Sequence, residues 1–235
     1  MRKTLVMIPA FGCGREMYDD VAAALGADVK AVIHVAEQDR FETMAEGLLH
    51  AVPGHFSVLG TSMGGRLALE VALAAPDRVE SLVVIGASAG GVADPAAGLR
   101  RSARLRDGEL EGVLSEMGDM VSHLPGPRGR ATRDAFISMG RKMGAEAMAR
   151  QSDALAHRAD RWSRVAGIAC PTLCLWGAHD KFTPTAEGER LAAEVQHGRY
   201  VELPDCGHFP TLEYPDETAA AIDHWMEDVG LSPQL

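Results

Sequence analysis

Ser62 stands in Gly60-Thr61-Ser62-Met63-Gly64. It is preceded by the apolar run His55-Phe56-Ser57-Val58-Leu59 and followed by Arg66–Ala75, which has helical composition and spacing. A serine in a Gly-x-Ser-x-Gly turn from strand into helix is held as a nucleophile, its Oγ lifted above the sheet edge with the helix N-terminus behind it. So sharp a turn strains the serine backbone, and side chains at positions 60 and 64 would collide with neighbouring elements. A serine hydroxyl attacks poorly until a base takes its proton, and a neutral imidazole is suited to that near pH 7. Among nine histidines, His208 stands out, in Pro204-Asp-Cys-Gly-His-Phe-Pro-Thr-Leu-Glu213 directly after the last predicted strand. Loops at the C-terminal ends of parallel strands are where such sheets place their chemistry. His34, His50, His55, His123, His157, His197 and His224 fall in predicted elements or on solvated faces, and His179 reads as a loop residue.

The histidine needs a carboxylate to hold its tautomer and to stabilise the imidazolium. Asp180 fits, in Leu175-Trp-Gly-Ala-His-Asp-Lys-Phe-Thr-Pro184 just past a buried run. Asp205 is a weaker rival, too near His208 in the chain to reach round to its ring. The remaining requirement is a pair of backbone N–H groups aimed where negative charge develops. One is expected from Met63, at the start of the helix. The other is expected from the glycine-rich turn Pro9-Ala-Phe-Gly-Cys-Gly14.

These groups need a scaffold. Strands are predicted at 4–8, 29–35, 56–59, 81–86, 172–176 and 199–203. Helices are predicted at 15–25, 41–51, 63–75, 186–195 and 216–229. Continuous Val/Ile/Leu runs, rather than alternating ones, suit a parallel sheet covered on both faces. From about Gly90 to Gly167 no strand-like run occurs. The expectation is therefore a core of residues 1–89 and 168–235, interrupted by a helical insertion at 90–167 that serves as a cap.

The insertion has its own character. It carries 13 of the 23 Lys+Arg against 10 of the 33 Asp+Glu, so it stands near +3 while the core stands near −13. Such a charge could draw in an anionic substrate, and solvated helix faces explain it equally well. Five of the eleven methionines lie here: Met117, Met120, Met139, Met143 and Met148. A Met-rich roof makes an adaptable apolar pocket, although the spacing suits ordinary core packing too. Met139, Met143 and Phe209 are the candidate pocket residues.

The chain's net charge of −10 and the lack of a basic run argue against a nucleic-acid partner. Pro9 cuts the apolar run after Met1-Arg-Lys-Thr4 to four residues, too short for a secretory core. No segment has transmembrane length, so a soluble cytoplasmic protein is expected. The four cysteines match no zinc spacing and are expected to be reduced and structural, although Cys13 and Cys206 lie in loops assigned to the site. No metal or cofactor is expected.

Together, Leu-Val-Met-Ile-Pro-Ala-Phe-Gly, Gly-Thr-Ser-Met-Gly-Gly, Ala-Ala-Pro-Asp-Arg-Val-Glu-Ser-Leu-Val, Cys-Pro-Thr-Leu-Cys-Leu-Trp-Gly-Ala-His-Asp and Cys-Gly-His-Phe-Pro-Thr-Leu-Glu-Tyr-Pro resemble the α/β-hydrolase superfamily over essentially the whole chain. The nearest flavour is that of small capped carboxylesterases and enol-lactonase-like hydrolases. The resemblance implies Ser62 as nucleophile, Asp180 as acid and His208 as base, with oxyanion N–H groups from Met63 and Phe11. Where the family usually has His-Gly after the first strand, this chain has Pro9-Ala10. The chain starts at that strand, so a sheet of about six strands without the family's leading antiparallel hairpin is expected. The reaction implied is hydrolysis of a small or medium ester or lactone through an acyl-enzyme. The same three side chains also serve thioester, amide and C–C hydrolysis and perhydrolysis, and a slow-turnover ligand-binding receptor or a silent scaffold could share the fold. Dehalogenases and epoxide hydrolases want an aspartate where Ser62 stands.

Overall fold

The computed structural model describes residues 3–26 and 29–230. Residues 1 and 2, part of the segment weighed as a leader, lie outside these. The elements alternate in chain order: β1 (Lys3–Ile8), a 3-10 turn at Arg15–Tyr18, α1 (Asp19–Ala24), β2 (Val29–Ile33), α2 (Phe41–Ala51), β3 (Phe56–Thr61), α3 (Met63–Ala74) and β4 (Val79–Ile85). Four helices follow without a strand: α4 (Pro95–Arg106), α5 (Leu110–Val121), α6 (Gly129–Met143) and α7 (Ala145–Ala156). A 3-10 turn at Trp162–Gly167 leads back to β5 (Thr172–Gly177), α8 (Thr185–Glu194), β6 (Gly198–Leu203), the short α9 (Pro210–Glu213) and α10 (Pro215–Asp228).

The strands form one six-stranded sheet in the order β2-β1-β3-β4-β5-β6, and every neighbouring pair is parallel. β3 and β5 are buried at every position, whereas the outer strands β2 and β6 mix partly buried and exposed residues. This is why the inner strands read as unbroken apolar runs. Helices cover the sheet: α2 packs on α3, α1 packs on α10, and α8 packs on β5 and β6.

The chain runs from β1 outward to β2, then crosses back to β3 on the other side of β1. That reversal opens a crevice at the C-terminal ends of β1 and β3, the place where open parallel sheets bind ligands. Ile8 pairs with Gly60 there, so the turns following both strands emerge side by side.

The expected helix over 15–25 is divided. Tyr18 has a non-helical backbone, with φ −117° and ψ 3°. Its hydroxyl bonds the Ile8 carbonyl and the Thr61 hydroxyl, each at 2.8 Å, and the Ala10 N–H donates to Met17 Sδ at 3.4 Å. These long-range ties hold the first turn against β1 and prevent one continuous helix. Among the described residues no helix is long and apolar enough to cross a membrane.

Candidate active site

Ser62 has φ +55° and ψ −113°, the only positive-φ non-glycine residue among those described. The fold makes room for this strained turn with glycines. A methyl group at Gly60 would run into the Gly64 carbonyl, and one at Gly64 would run into the Ile8 carbonyl. Only hydrogen fits at either place, which is what allows α3 to start directly against β1 and β3.

His208 and Asp180 reach the same point from the ends of β6 and β5. His208 Nε2 lies 2.8 Å from Ser62 Oγ, and its Nδ1 lies 2.6 Å from Asp180 Oδ2. Asp180 is locked in turn, because its Oδ1 accepts the N–H groups of Phe182 at 2.8 Å and Thr183 at 2.9 Å. The imidazole is almost wholly shielded and packs against the rings of Phe182 and Phe209, with centroids at 4.9 and 5.2 Å. With Nδ1–H given to the carboxylate, Nε2 is left as the acceptor facing the serine hydroxyl. This arrangement can draw a proton off Ser62 and hold the resulting imidazolium.

The two expected oxyanion donors sit at the crevice. Met63 is the first residue of α3, so its N–H has no helical partner. On the β1 turn, the neighbouring N–H groups are already engaged: Ala10 with Met17 Sδ, Gly12 with Gln151 Oε1 at 2.9 Å, and Cys13 with the Ala10 carbonyl at 3.0 Å. Phe11 N–H makes no hydrogen bond among the described residues. Phe11 and Met63 both line the cavity that opens over Ser62.

That cavity measures about 430 Å³. Its floor comes from the sheet ends, including Ala10, Gly86 and His208, and its roof from the helices between β4 and β5, through Arg101, Met117, Val121 and Phe136. Phe209 is on the wall. Met139 and Met143 are not. They lie one and two turns beyond Phe136 on α6; Met139 is buried and Met143 packs against the hydrophobic core, so the roof methionine is Met117 from α5.

Several site residues had no part in the sequence expectation. Gly86, with φ +59°, lies against the Asp180–His208 bond: a methyl group there would stand 3.1 Å from Asp180 Oδ2 and 3.2 Å from His208 Nδ1. A glycine closing a buried apolar run was the available signal. Glu213 is buried and accepts the N–H groups of Gly207 and His123, each at 3.1 Å. Burial pushes its carboxyl above the ordinary range, and those N–H donors pull it partly back. Arg101 is pushed down to about 10 by burial and by the neighbouring Arg158. Cys13 and Cys206 are both buried, off the cavity wall, and burial pushes both thiols up. Among the described residues no cluster of His, Cys, Asp or Glu is arranged to hold a metal ion.

The chain belongs to the alpha/beta hydrolase family, whose sequence profile matches residues 5–221. It is 27% identical to a pimeloyl-[acyl-carrier protein] methyl ester esterase of Neisseria meningitidis, over 96% of this chain and 93% of that one. It is 30% identical to a 2-hydroxy-6-oxononadienedioate/2-hydroxy-6-oxononatrienedioate hydrolase of Paraburkholderia xenovorans, over 73% of this chain and 62% of the relative. The fold is shared with the enol-lactonase from Burkholderia xenovorans at a TM-score of 0.88, with 19% identity over 97% of this chain and 92% of that one.

Proposed function

We propose that this chain is a serine hydrolase that cleaves a small or medium carboxylic ester or lactone through an acyl-enzyme. The observation that carries the reading is the unbroken hydrogen-bond chain from Ser62 Oγ through His208 to Asp180, at 2.8 and 2.6 Å. In the first half-reaction His208 Nε2 takes the Ser62 proton as Oγ attacks the carbonyl carbon. The carbonyl oxygen, now carrying the charge, is held by the N–H groups of Phe11 and Met63. His208 then gives its proton to the leaving alkoxide. In the second half-reaction it takes a proton from water, the hydroxide attacks the acyl carbon, and Ser62 Oγ leaves with the proton that His208 returns. Residues 90–167 act as a cap over a core of 1–89 and 168–235, shielding the acyl-enzyme and selecting what reaches it. Similarity to a methyl ester esterase supports the ester chemistry.

A second reading is hydrolysis of a carbon–carbon bond by the same three side chains. The similarity to the 2-hydroxy-6-oxononadienedioate hydrolase favours it. The test is fluorophosphonate labelling, followed by Ser62→Ala assayed on short p-nitrophenyl esters. The ester reading expects labelling at residue 62 and a loss of about 10⁴-fold or more in kcat on substitution. An unlabelled serine, or esterase activity that survives Ser62→Ala, overturns it.

A further inference from the structure

The excess positive charge of residues 90–167 is not spread evenly once the fold is formed. Eight of its thirteen basic residues form ion pairs with carboxylates. Five do so with none among the described residues. Of these, Arg128, Arg130 and Arg164 stand exposed, where water and salt solvate them. Arg101 and Arg158 are drawn in from solvent, and both line the cavity over Ser62.

Neither guanidinium is saturated. Arg101 donates Nε–H to Ser152 Oγ at 2.9 Å and rests on the Phe11 ring, with Cζ 4.8 Å from the centroid. Both of its Nη groups are without partners among the described residues. Arg158 spends one N–H on the Leu155 carbonyl at 3.3 Å. The third cavity arginine, Arg66, is different. It is engaged by Glu70 and by the carbonyls of Ala89, Gly90 and Ala159. Burial lowers the pKa of both Arg101 and Arg158, and Arg158 lowers that of Arg101 further, so two like charges share a partly dehydrated wall. Leaving them unpaired is costly unless a ligand answers them. The one carboxylate lining the cavity among the described residues, Glu187, already accepts the Ser88 hydroxyl at 2.5 Å.

We propose that the substrate carries a carboxylate besides its reacting ester or lactone group, and that Arg101 and Arg158 seat this second carboxylate. A planar guanidinium presents paired N–H donors that match a carboxylate edge, and two of them converging on one cavity select that group. The Phe11 ring beneath Arg101 couples this subsite to the turn whose N–H faces the reacting carbonyl. The proposal rests on the hydrolase reading above and names its substrate class: half-esters of dicarboxylic acids, or lactones bearing a free carboxylate.

The experiment compares monomethyl with dimethyl esters of the same diacids, from succinate to suberate, at pH 7.5. The expected result is a kcat/KM at least about ten-fold higher for the best half-ester than for its neutral partner. In Arg101→Gln and Arg158→Gln this ratio falls by about ten-fold or more; any general loss of fold or activity cancels because both substrates share it. A ratio near one in the wild type, or one unchanged in both variants, overturns the carboxylate subsite. Fluorophosphonate labelling reads the hydrolase assignment separately. A labelled protein with a flat ratio removes the subsite alone. An unlabelled one removes the hydrolase reading, and the subsite is then decided by calorimetry of monomethyl adipate on Ser62→Ala. Binding weakened about ten-fold or more by adding Arg158→Gln supports the subsite, and equal binding overturns it.

Discussion

The main-chain N–H of His208 donates to the carbonyl of Val121 at 3.1 Å, so the imidazole bonded to Ser62 is tied through its own backbone to the last residue of α5. Two more bonds run along the same seam: His123 N–H to Glu213 at 3.1 Å, and Lys181 Nζ to the Asp119 carbonyl at 3.1 Å. The roof is therefore fastened to the loops that carry His208 and Asp180. A change at this seam should reach the chemistry without touching substrate.

Asp180→Asn tests what the carboxylate does. The amide oxygen can still accept from Phe182 and Thr183, which turns the NH₂ toward His208 Nδ1. That nitrogen must then accept, so Nε2 carries the proton and points a donor at Ser62 Oγ. The hydroxyl keeps its proton. The expected outcome is a fall in kcat of about 10⁴-fold with little change in KM or in circular dichroism.

Gly86→Ala tests the floor. The added methyl group would lie 3.1 Å from Asp180 Oδ2, 3.2 Å from His208 Nδ1 and 3.3 Å from its Cε1, at a backbone φ of +59°. The left-handed backbone alone costs about 1–2 kcal/mol with a side chain present, and the crowding displaces the imidazole by a few tenths of an ångström. Urea denaturation should show a loss of that size, and kcat should fall by about ten-fold.

How much of this was legible beforehand depended on whether a feature is local. The elbow at Ser62 is written in five consecutive residues, because a sharp strand-to-helix turn needs glycines at fixed offsets. Asp180 and His208 could be placed because each follows a buried apolar run and so must emerge at the same sheet edge. The cavity wall is another matter. Which turn of α6 faces inward is set by how α5 and α7 pack against it, so Phe136 and Met117 took the places expected of Met139 and Met143. Charge behaves the same way. The surplus of basic residues at 90–167 is visible by counting, but the ones left unpaired emerge only when carboxylates such as Glu111 and Glu116 find their partners.

Glu213→Gln should change stability against pH in a defined sense. Burial raises this carboxyl above its ordinary 4.5, so the folded chain holds its proton at a pH where the unfolded chain has released it. Stability from this group is fully present below about 4.5 and is lost as pH rises through the folded value. Glutamine has no proton to lose, so unfolding free energies measured across that range should vary less steeply with pH in the variant. The amide also offers one acceptor where the carboxylate offered two. The loop of His208 loosens, and kcat at neutral pH should fall by about ten-fold.

Glu70 carries the last prediction. It is buried on α3 and accepts from Arg66 at 2.7 and 3.0 Å and from Arg161 at 2.9 and 3.0 Å. Burial lowers the Arg66 pKa and Glu70 acts against that shift, so the carboxylate offsets part of the cost of holding a buried guanidinium beneath the roof. Glu70→Ala strips the partner while the arginine stays buried, 2% exposed, which should cost about 3–5 kcal/mol in urea denaturation. Removing the charge as well changes the expectation. Glu70→Leu combined with Arg66→Met leaves no unpaired ion, although it frees the carbonyls of Ala89, Gly90 and Ala159. The double variant should recover a good part of the loss. If it is less stable than Glu70→Ala, the arginine's bonds to those three carbonyls, rather than its ion pair, are what hold α3 to the roof.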